Sequence, residues 1–349
     1  MIRNNQKVAI IIVNWNGKHL LKECFLALKE QTYKDFVAIL VDNGSNDDSV
    51  KYTRENFPWI RIIPLGKNYG FAKGNNFGIN KALSYPDMKY IVTLNNDTKT
   101  DPNWLFELVY CAEKNAKIGA CGSKILFYDN PNIINSTGMI PFLDGQSEDR
   151  GIFQKDIKQF EKQEEVFGVN ACATLYRAEL LRKIGLFDPD YFMYCEDTDL
   201  AWRIRLAGYK AVYVPTAKIL HKQSISSGKF SDKTIYYVIR NGVWNVIKNF
   251  SVLYMLKSCI YSPVRLVKLG FLSIKKRNFR SRYFEKQNKA LIIKAILKGY
   301  FHGILGILKN IPKRRNILKK AITNKDVRNW FEKYSMPLSI NPDAKKYAK

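Results

Sequence analysis

The sequence predicts an α/β fold in which a doubly wound, mostly parallel sheet is flanked by helices and followed by a basic helical C-terminal region. Short apolar runs alternate with amphipathic segments in the first third of the chain, a pattern typical of βαβ units. These apolar runs are continuous, as expected for strands buried on both faces of a parallel sheet. Charge is distributed unevenly, because residues 251–349 contain 24 Lys and Arg against 4 Asp and Glu, whereas residues 1–250 contain 33 against 27.

Composition limits the class of protein. The chain has 349 residues, enough for one large domain and an appendage, and its hydrophobic content of 46% excludes an extensively disordered protein. Its six cysteines are scattered without a C-x-x-C pair, which excludes a disulfide framework and a cysteine zinc site and is typical of a reducing compartment. No segment has the pattern of a cleavable signal peptide, and no apolar run is long enough to span a bilayer. We therefore expect a cytoplasmic protein.

The first two predicted strands each end in polar residues. The apolar runs 8–13 and 36–41 predict strands, and the amphipathic segment 18–30 between them predicts a helix. Asp42 follows the second strand. Open α/β sheets bind nucleotides at the carboxyl ends of their strands, where an acidic residue contacts the base or ribose. The alternative is that Asp42 and Asp47 only cap the next helix.

A glycine-containing segment follows the third predicted strand, residues 60–63. It reads N-Y-G-F-A-K-G-N-N-F-G over residues 68–78 and lacks the G-x-G-x-x-G spacing, which excludes a Rossmann cofactor site. Gly70 and Gly74 allow either a close approach of the backbone to a ligand or close packing of a helix on the sheet, and close packing is the more common reason for a glycine.

A carboxylate follows the strand predicted at residues 90–94. The strand leads into the sequence N-N-D, which ends at Asp97, and Asp101 with the following proline predicts the start of a helix. If the ligand is a nucleotide diphosphate, Asp97 is placed to hold a divalent cation that bridges the two phosphates. Hard oxygen ligands suit magnesium or manganese. The alternative is a solvated loop between a strand and a helix.

Three carboxylates crowd the start of another predicted helix. Apolar residues recur with helical spacing from Leu200 onward, which places Glu196, Asp197 and Asp199 in the first turn. Acidic residues are favoured there by the helix dipole, which is the structural alternative. Like charges at close range raise the pKa of at least one carboxyl group, so the cluster also suits a general base.

These segments together resemble a known family. The sequences V-D-N-G-S-N-D-D-S, N-Y-G-F-A-K-G-N-N-F-G and L-N-N-D-T resemble the family 2 glycosyltransferases with the GT-A fold, and L-N-N-D-T, E-D-x-D-L and Y-Y-x-x-R-N resemble its rhamnosyltransferase-type members. The resemblance covers residues 7 to about 245. We expect a GT-A catalytic domain at residues 1–232 and a basic, amphipathic helical region at residues 233–349.

The resemblance implies a nucleotide-sugar donor bound by the first half of the chain. Asp42 corresponds to the carboxylate that contacts the base, and Asp97 to the metal-binding last position of the D-x-D motif, whose first Asp is replaced by Asn95. His221, which follows the last predicted strand at residues 211–214, corresponds to a histidine that completes the metal shell, although a lone histidine is more often structural. The residues expected at the donor are Asn14, Asn16, Asp42, Asn43, Ser45, Asn68, Gly70, Gly74, Asn75, Asn95, Asn96 and Asn170.

The resemblance also assigns the catalytic residues. Asp197 corresponds to the general base of an inverting transfer, which deprotonates the acceptor hydroxyl, and Glu196 and Asp199 are expected to orient the acceptor or the helix. The small residues of the segment 168–177 predict a strand that lines the sugar pocket in the family, or else a place of tight sheet packing. Lys222, Ser224 and Ser227 are expected to bind diphosphate oxygens in a loop that closes over the donor.

The C-terminal region has the pattern of interfacial helices. In the segment 289–309, Lys294, Lys298 and His302 lie four residues apart on one face, and apolar residues cover the rest. Basic residues near an anionic leaflet each contribute about 1 kcal/mol to binding, so we expect contact with an anionic membrane surface. The alternative is that the apolar faces pack against one another and against the catalytic domain.

The expected function is transfer of a sugar, with inversion, from dTDP-rhamnose or a UDP-hexose to a glycan or lipid-linked acceptor in bacterial surface-polysaccharide assembly. The expected cofactor is magnesium or manganese, and the expected location is the inner face of the cell membrane. Two other classes stay open: a basic nucleic-acid-binding protein, and a non-catalytic subunit of a polysaccharide-assembly complex. No nucleic acid is expected, because the acidic clusters would repel phosphates and no nucleic-acid-binding motif is present. The oligomeric state is left open.

Overall fold

The computed structural model describes residues 7–223, 231–274, 289–317 and 323–335 of the chain. Its main sheet has the order β10-β12-β6-β11-β4-β1-β2-β3, with β5 paired to β12 and β7 paired to β6, and β8 and β9 form a separate two-stranded ribbon. The strands are β1 (Val8–Asn14), β2 (Phe36–Asp42), β3 (Arg61–Pro64), β4 (Tyr90–Asn95), β5 (Thr98–Thr100), β6 (Ile118–Phe127), β7 (Ile134–Ser136), β8 (Met139–Pro141), β9 (Ser147–Asp149), β10 (Glu164–Val166), β11 (Ala173–Arg177) and β12 (Lys210–His221).

Helices cover both faces of the sheet. The two faces have separate hydrophobic clusters, since alternate residues of β1 pack on opposite sides, Val8 and Ile10 in one cluster and Ala9 and Ile11 in the other. The helices are α1 (Lys18–Lys29), α2 (Ser49–Asn56), α3 (Gly70–Leu83), α4 (Trp104–Glu113), α5 (Ala178–Ile184), α6 (Glu196–Leu206), α7 (Asp232–Asn249), α8 (Val252–Ile274), α9 (Lys289–Leu305), α10 (Ile307–Ile317) and α11 (Asn324–Tyr334).

The predicted α/β class is confirmed. Strands β3, β2, β1 and β4 are mutually parallel, and β12 is parallel to β6, whereas β11 lies antiparallel between β4 and β6. The sheet is therefore mostly parallel, and the carboxyl ends of β1, β2 and β4 meet at one edge. This edge carries many of the residues that the sequence analysis selected.

Some predicted boundaries differ from the structure. The helix expected to begin at Pro102 begins at Trp104, because the Asp101 side chain accepts a hydrogen bond from the Asn103 amide (3.0 Å) and forms a turn there. The strand expected over residues 168–177 forms only at Ala173–Arg177, and the strand expected at residues 211–214 continues through a bulge to His221.

Helix α7 packs against the first part of the chain. Trp244 and Ile247 of α7 join Tyr191 in one cluster, and the following Phe250 packs on Trp202 of α6, with ring centroids 4.8 Å apart. The helical region predicted from residue 233 thus begins with a helix that shares hydrophobic clusters with residues before it.

Candidate active site

The register of the parallel strands brings their last residues together. Asn14 at the end of β1 pairs with Asp42 at the end of β2, and Val13 pairs with Asn95 at the end of β4. Because strands of a parallel sheet all end at the same edge, polar residues that are far apart in sequence become neighbours.

Asn14 is the centre of a hydrogen-bond network at this edge. Its Nδ2 atom donates to the Asp42 carboxylate (3.3 Å) and to the Ser45 hydroxyl (3.2 Å), and its Oδ1 atom accepts from Asn96 Nδ2 (2.7 Å). The Ser45 amide donates to the second carboxylate oxygen of Asp42 at 3.1 Å, and the Asn16 amide donates to the Ser45 hydroxyl at 2.9 Å. Five residues predicted at the donor site are therefore joined in one network.

Helix capping was the alternative left open for Asp42 and Asp47. Asp47 has this role, whereas Asp42 stabilises a turn. One carboxylate oxygen of Asp47 accepts from the Lys18 amide at the start of α1 (2.8 Å), and the other accepts from the Ser49 amide at the start of α2 (3.2 Å). Asp42 instead holds the turn that carries Ser45. Its buried side chain lies at the strand edge rather than at a helix start.

A second set of predicted residues shapes the loop before α3. The Asn43 side chain donates to Asn68 Oδ1 (3.0 Å) and accepts from the Tyr69 amide (2.9 Å), and Asn68 Oδ1 also accepts from the Gly70 amide (2.8 Å). Asn43 is buried, whereas Asn68 keeps partial exposure. Of this pair, Asn68 is the one that remains accessible to a ligand.

Gly70, Gly74 and Asn75 take part in the packing of α3, which for the two glycines is the alternative that their sequence left open. A Cβ atom on Gly70, whose φ is +80°, would lie against the carbonyl oxygen of Phe192, and one on Gly74 would lie 3.0 Å from Val13. Asn75 is buried and donates to the Phe71 carbonyl one turn back (3.0 Å). The space beside these residues is filled by protein, because α3 packs closely on the sheet.

Asp97 and His221 lie together although 124 positions separate them in the sequence. Strand β5 pairs antiparallel with the end of β12, where Thr98 lies opposite His221. The Nε2 atom of His221 is 3.2 Å from the Asp97 carboxylate and 3.5 Å from the Nδ2 atom of the Asn95 side chain. Burial disfavours the imidazolium, but Cys172 and the Asp97 carboxylate outweigh it and raise the pKa of His221 well above its usual range.

These two side chains fit a divalent metal ion. The Nδ1 atom of His221 lies 3.4 Å from the Oδ1 atom of the Asn135 side chain, so a neutral imidazole would carry its proton on Nδ1 and direct the lone pair of Nε2 at the place where the Asp97 carboxylate lies. No group of three or more His, Cys, Asp or Glu side chains among the described residues is arranged to hold a metal. The protein would thus supply two ligands, and the donor and water the rest.

The expected diphosphate-binding loop is only partly described. Lys222 pairs with Glu23 (2.8 Å), whose other carboxylate oxygen accepts from the Tyr128 hydroxyl (2.6 Å), so this lysine has a protein partner beside the metal residues. Ser224 and Ser227 lie outside the described residues.

Asp197 is the most accessible of the three clustered carboxylates. It is partly exposed, whereas Glu196 and Asp199 are buried. Its Oδ1 atom accepts from the Thr198 amide (2.7 Å), and its Oδ2 atom lies 3.5 Å from the Ala171 amide. Burial and then the negative charge of Asp149 raise the pKa of Asp197 to about 6. The group is therefore accessible and has the affinity for a proton that a general base at neutral pH needs.

Glu196 and Asp199 have different surroundings. Burial, and next the charge of Asp197, raise the pKa of Glu196 well above its usual range, and its Oε2 atom is buried without a hydrogen-bond partner among the described residues. Asp199 is fully buried between Arg203 (2.9 Å) and Lys248 (2.7 Å). Although burial opposes it, these cations lower the pKa of Asp199. Asp199 therefore binds α6 to α7, which agrees with orientation of the helix, one of the two roles expected for it.

Asn170 contacts a carboxylate that the sequence analysis did not select. Its Nδ2 atom donates to Asp149 at 2.9 Å, and its Oδ1 atom accepts from the Cys172 amide at the same distance. Asp149 ends β9, a three-residue strand that has too few residues to show a period. The residues around it, E-D-R-G, match no motif whose chemistry follows from residue type and spacing, so nothing in the sequence indicated a role for Asp149.

Three asparagines of α7 hold the residues on either side of Asp197, and these too were missed. Asn241 donates to three backbone carbonyls between residues 191 and 194, Asn245 accepts from the Tyr191 hydroxyl (2.6 Å), and Asn249 donates to Asp199 (3.0 Å). Phe192, Tyr194 and Cys195 in the loop that precedes Asp197 have φ values near +65° (64°, 67° and 64°), which non-glycine residues seldom adopt. Helix α7 therefore fixes the strained loop that positions Asp197.

The chain is similar to several known proteins. The family described as Glycosyl transferase family 2 matches residues 9–185. The chain is 30% identical over 234 residues to N-acetylglucosaminyl-diphospho-decaprenol L-rhamnosyltransferase of Mycobacterium tuberculosis, a match that covers 61% of this chain and 75% of the relative. It is 24% identical over 213 residues to poly-beta-1,6-N-acetyl-D-glucosamine synthase of Staphylococcus epidermidis, covering 60% of this chain and 48% of the relative.

The fold is also similar to a solved structure. The crystal structure of GalNAc-T7 with UDP, GalNAc and Mn2+ matches with a TM-score of 0.55 at 16% identity, over 68% of this chain and 48% of that chain. At this identity the likeness shows the fold, which is GT-A.

Proposed function

The chain belongs to glycosyl transferase family 2, and from that premise we propose that it transfers a sugar, with inversion, from a nucleotide-diphosphate donor to a lipid-linked glycan. One observation carries the proposal: the fold brings the Asp97–His221 pair and the accessible carboxylate of Asp197 to the edge where Asn14 and Asp42 end their strands. We propose dTDP-rhamnose as the first donor to test, with UDP-hexoses as the alternative, because a rhamnosyltransferase is among the similar proteins.

The donor end of the site is proposed to hold the nucleotide through Asp42 and the Asn14 network. These side chains already bond to one another, so little rearrangement is needed to present their remaining polar atoms to a base and ribose. Asp97 and His221 would hold magnesium or manganese against the diphosphate. When bound, the ion neutralises charge that develops on the leaving nucleotide diphosphate.

Asp197 is proposed to act as the general base. It takes the proton of the acceptor hydroxyl while the hydroxyl oxygen bonds to the anomeric carbon, and the bond from that carbon to the diphosphate oxygen breaks on the opposite face. The configuration at the anomeric carbon therefore inverts. A pKa near 6 keeps Asp197 ionised at neutral pH and still basic enough to assist the attack.

The C-terminal helices are proposed to contact the inner face of the cell membrane. Thirteen of the nineteen large apolar side chains that are exposed among the described residues lie on α8, α9 and α10. Small residues of α9 pack on α7, with Gly299 against Ile239 and Gly303 against Val243, so the large ones face outward. This arrangement favours membrane contact over the alternative in which the apolar faces pack together.

None of the described helices has, by itself, the length and apolar composition of a membrane span. The segments Lys289–Leu305 and Ile307–Arg315, bent by 52° at their junction, meet these criteria only as a pair.

The proposal is tested with a panel of nucleotide sugars, supplied with magnesium or manganese and then with EDTA. Wild type is assayed for donor hydrolysis and transfer beside Asp97→Ala and Asp197→Asn. Metal-dependent turnover of one donor, lost in both variants, is the expected result. A protein that neither binds nor turns over any donor would contradict the enzyme proposal. Donor binding with no hydrolysis or transfer, even with lipid-linked acceptors added, would favour a non-catalytic subunit.

A further inference from the structure

Asp149 is a partly exposed carboxylate beside Asp197 to which the proposed transfer assigns no role. It lies on the ribbon formed by β8 and β9, which is separate from the main sheet. Two contacts fix this ribbon against the active site. The Ser147 and Thr198 hydroxyls are 2.7 Å apart, and the Met139 amide donates to the Gly168 carbonyl at 3.0 Å. Because residues two apart share a face of a strand, Asp149 lies on the same side of β9 as Ser147, which contacts the first turn of α6.

Asp149 and Asp197 contact consecutive residues of one loop. Asp149 accepts a hydrogen bond from the Asn170 side chain at 2.9 Å, and Asp197 lies 3.5 Å from the amide of Ala171. The two carboxyl groups therefore lie beside the same loop, near enough for the charge of Asp149 to act on Asp197.

Among the described residues, the two carboxylates also lack a cation in direct contact. Asp199 and Asp144 in the same region differ from them, because they pair with Arg203 and Arg265. Within the parts of the chain that the structure describes, no Lys, Arg or His lies within ion-pair distance of Asp149 or Asp197. Burial raises the pKa of Asp149, as it does that of Asp197. Uncompensated carboxylates oppose folding, and proteins retain such local violations chiefly at functional sites.

We propose that Asp149 binds the acceptor: its carboxylate accepts a hydrogen bond from a hydroxyl next to the one that Asp197 deprotonates. The site then selects an acceptor sugar with two adjacent hydroxyl groups. This inference rests on the proposed glycosyl transfer and adds a residue that determines acceptor specificity. Asn170, which holds Asp149 and precedes Ala171, becomes the residue that spaces the two carboxylates.

The test uses an acceptor of defined chemistry. N-acetylglucosaminyl diphosphate on a short prenyl chain is compared with its 3-, 4- and 6-deoxy analogues, using the donor that wild type hydrolyses. The variants are Asp149→Ala and, as a variant of equal size, Asp149→Asn. Glu148→Gln is the control, because it removes the same charge one residue away on the other face of β9. The KM for acceptor, kcat, donor hydrolysis without acceptor and thermal unfolding are measured.

The inference predicts a rise of about 10- to 100-fold in the acceptor KM of Asp149→Ala, the range expected for one hydrogen bond to a charged group, and a smaller rise for Asp149→Asn, whose amide oxygen still accepts a hydrogen bond. Donor hydrolysis, thermal unfolding and the Glu148→Gln control stay near wild type. Wild type discriminates against one deoxy analogue that keeps the reacting hydroxyl, and Asp149→Ala loses this discrimination.

Two results would overturn the inference alone: wild-type acceptor KM in the Asp149 variants, or unchanged discrimination among the analogues. A loss of donor hydrolysis and stability in parallel with transfer would assign Asp149 a structural role. A wild type that transfers to none of the acceptors would refute the proposed function, and the inference with it.

Discussion

The Nζ atom of Lys248 lies 2.7 Å from the Oδ1 atom of Asp199, and this contact joins α7 to the helix that carries Asp197. Lys248 is also 2.7 Å from Asp188, and Lys313 of α10 contacts the same carboxylate at 2.6 Å. A chain of ion pairs therefore runs from α6 through α7 to α10.

Replacing Lys248 by Met should destabilise the protein by about 3 kcal/mol, because it removes the cation between two buried carboxylates. Urea unfolding measures the change. Lys233→Met is the matched control, since Lys233 is an exposed lysine on the same helix and its loss should change stability by less than about 0.5 kcal/mol. Equal midpoints for the two variants would show that the Lys248 contacts contribute nothing to stability.

The raised pKa of Asp197 predicts a pH-dependent gain in stability for Asp197→Asn. Its pKa is about 6 in the folded protein, against about 3.9 for an unfolded chain, so the folded state binds the proton more tightly. The stability that this proton contributes is complete below pH 4 and is lost as the pH rises through 6.

Asparagine does not titrate, so Asp197→Asn does not lose stability as the pH rises through 6. The free energy of unfolding of this variant, relative to wild type, should therefore increase by up to about 2 kcal/mol between pH 4 and 7. Thermal unfolding across this range measures the difference, with the exposed Asp87→Asn as control. A constant difference across the range would show that the folded protein does not raise the pKa of Asp197.

The same group predicts the pH dependence of the reaction. Protonated Asp197 cannot accept the acceptor proton, so kcat/KM for acceptor should fall about tenfold for each pH unit below 6. Initial rates at saturating metal and donor, measured from pH 5 to 8, show the acid limb. A kcat/KM that stays constant from pH 8 down to pH 5 would contradict a base in this partly buried, negatively charged place.

The exposed apolar face of α9 predicts membrane binding that depends on particular side chains. The double variant Leu297→Ser, Phe301→Ser should bind anionic vesicles at least tenfold more weakly, because each lost side chain contributes about 1.5–3 kcal/mol when buried. Phe106→Ser removes an exposed aromatic ring from α4 and is the control. Binding is measured by vesicle flotation. If wild type, the double variant and Phe106→Ser bind alike, α9 is not part of the proposed membrane-binding surface.

The sequence alone was sufficient to predict the position of polar residues that directly end a predicted strand. Asp42 and Asn95 end apolar runs, so their meeting at one sheet edge follows from parallel strands alone. The pairing of Asp97 with His221 was expected from the family resemblance rather than from spacing, since it depends on the short strand β5 lying beside β12.

Contacts between distant parts of the chain determine the residue roles that the sequence did not show. Asp199 and Asp197 look alike in the sequence, but Asp199 pairs with Arg203 of its own helix and with Lys248 and Asn249 of α7, whereas Asp197 stays accessible. For Gly70 the sequence left a ligand contact and helix packing both open, because it does not show that Phe192 lies beside this glycine. Asp149 was missed since its position depends on a ribbon of two three-residue strands.

The most direct test of the account measures transfer and nucleotide binding for wild type and Asp197→Asn side by side. Single-turnover transfer to a lipid-linked acceptor gives the rate, and calorimetry with the nucleotide diphosphate and manganese gives the affinity. The account predicts a rate lowered by about 100-fold or more with unchanged nucleotide affinity, because Asp197 acts on the acceptor and not on the donor. Transfer by Asp197→Asn at the wild-type rate would contradict it.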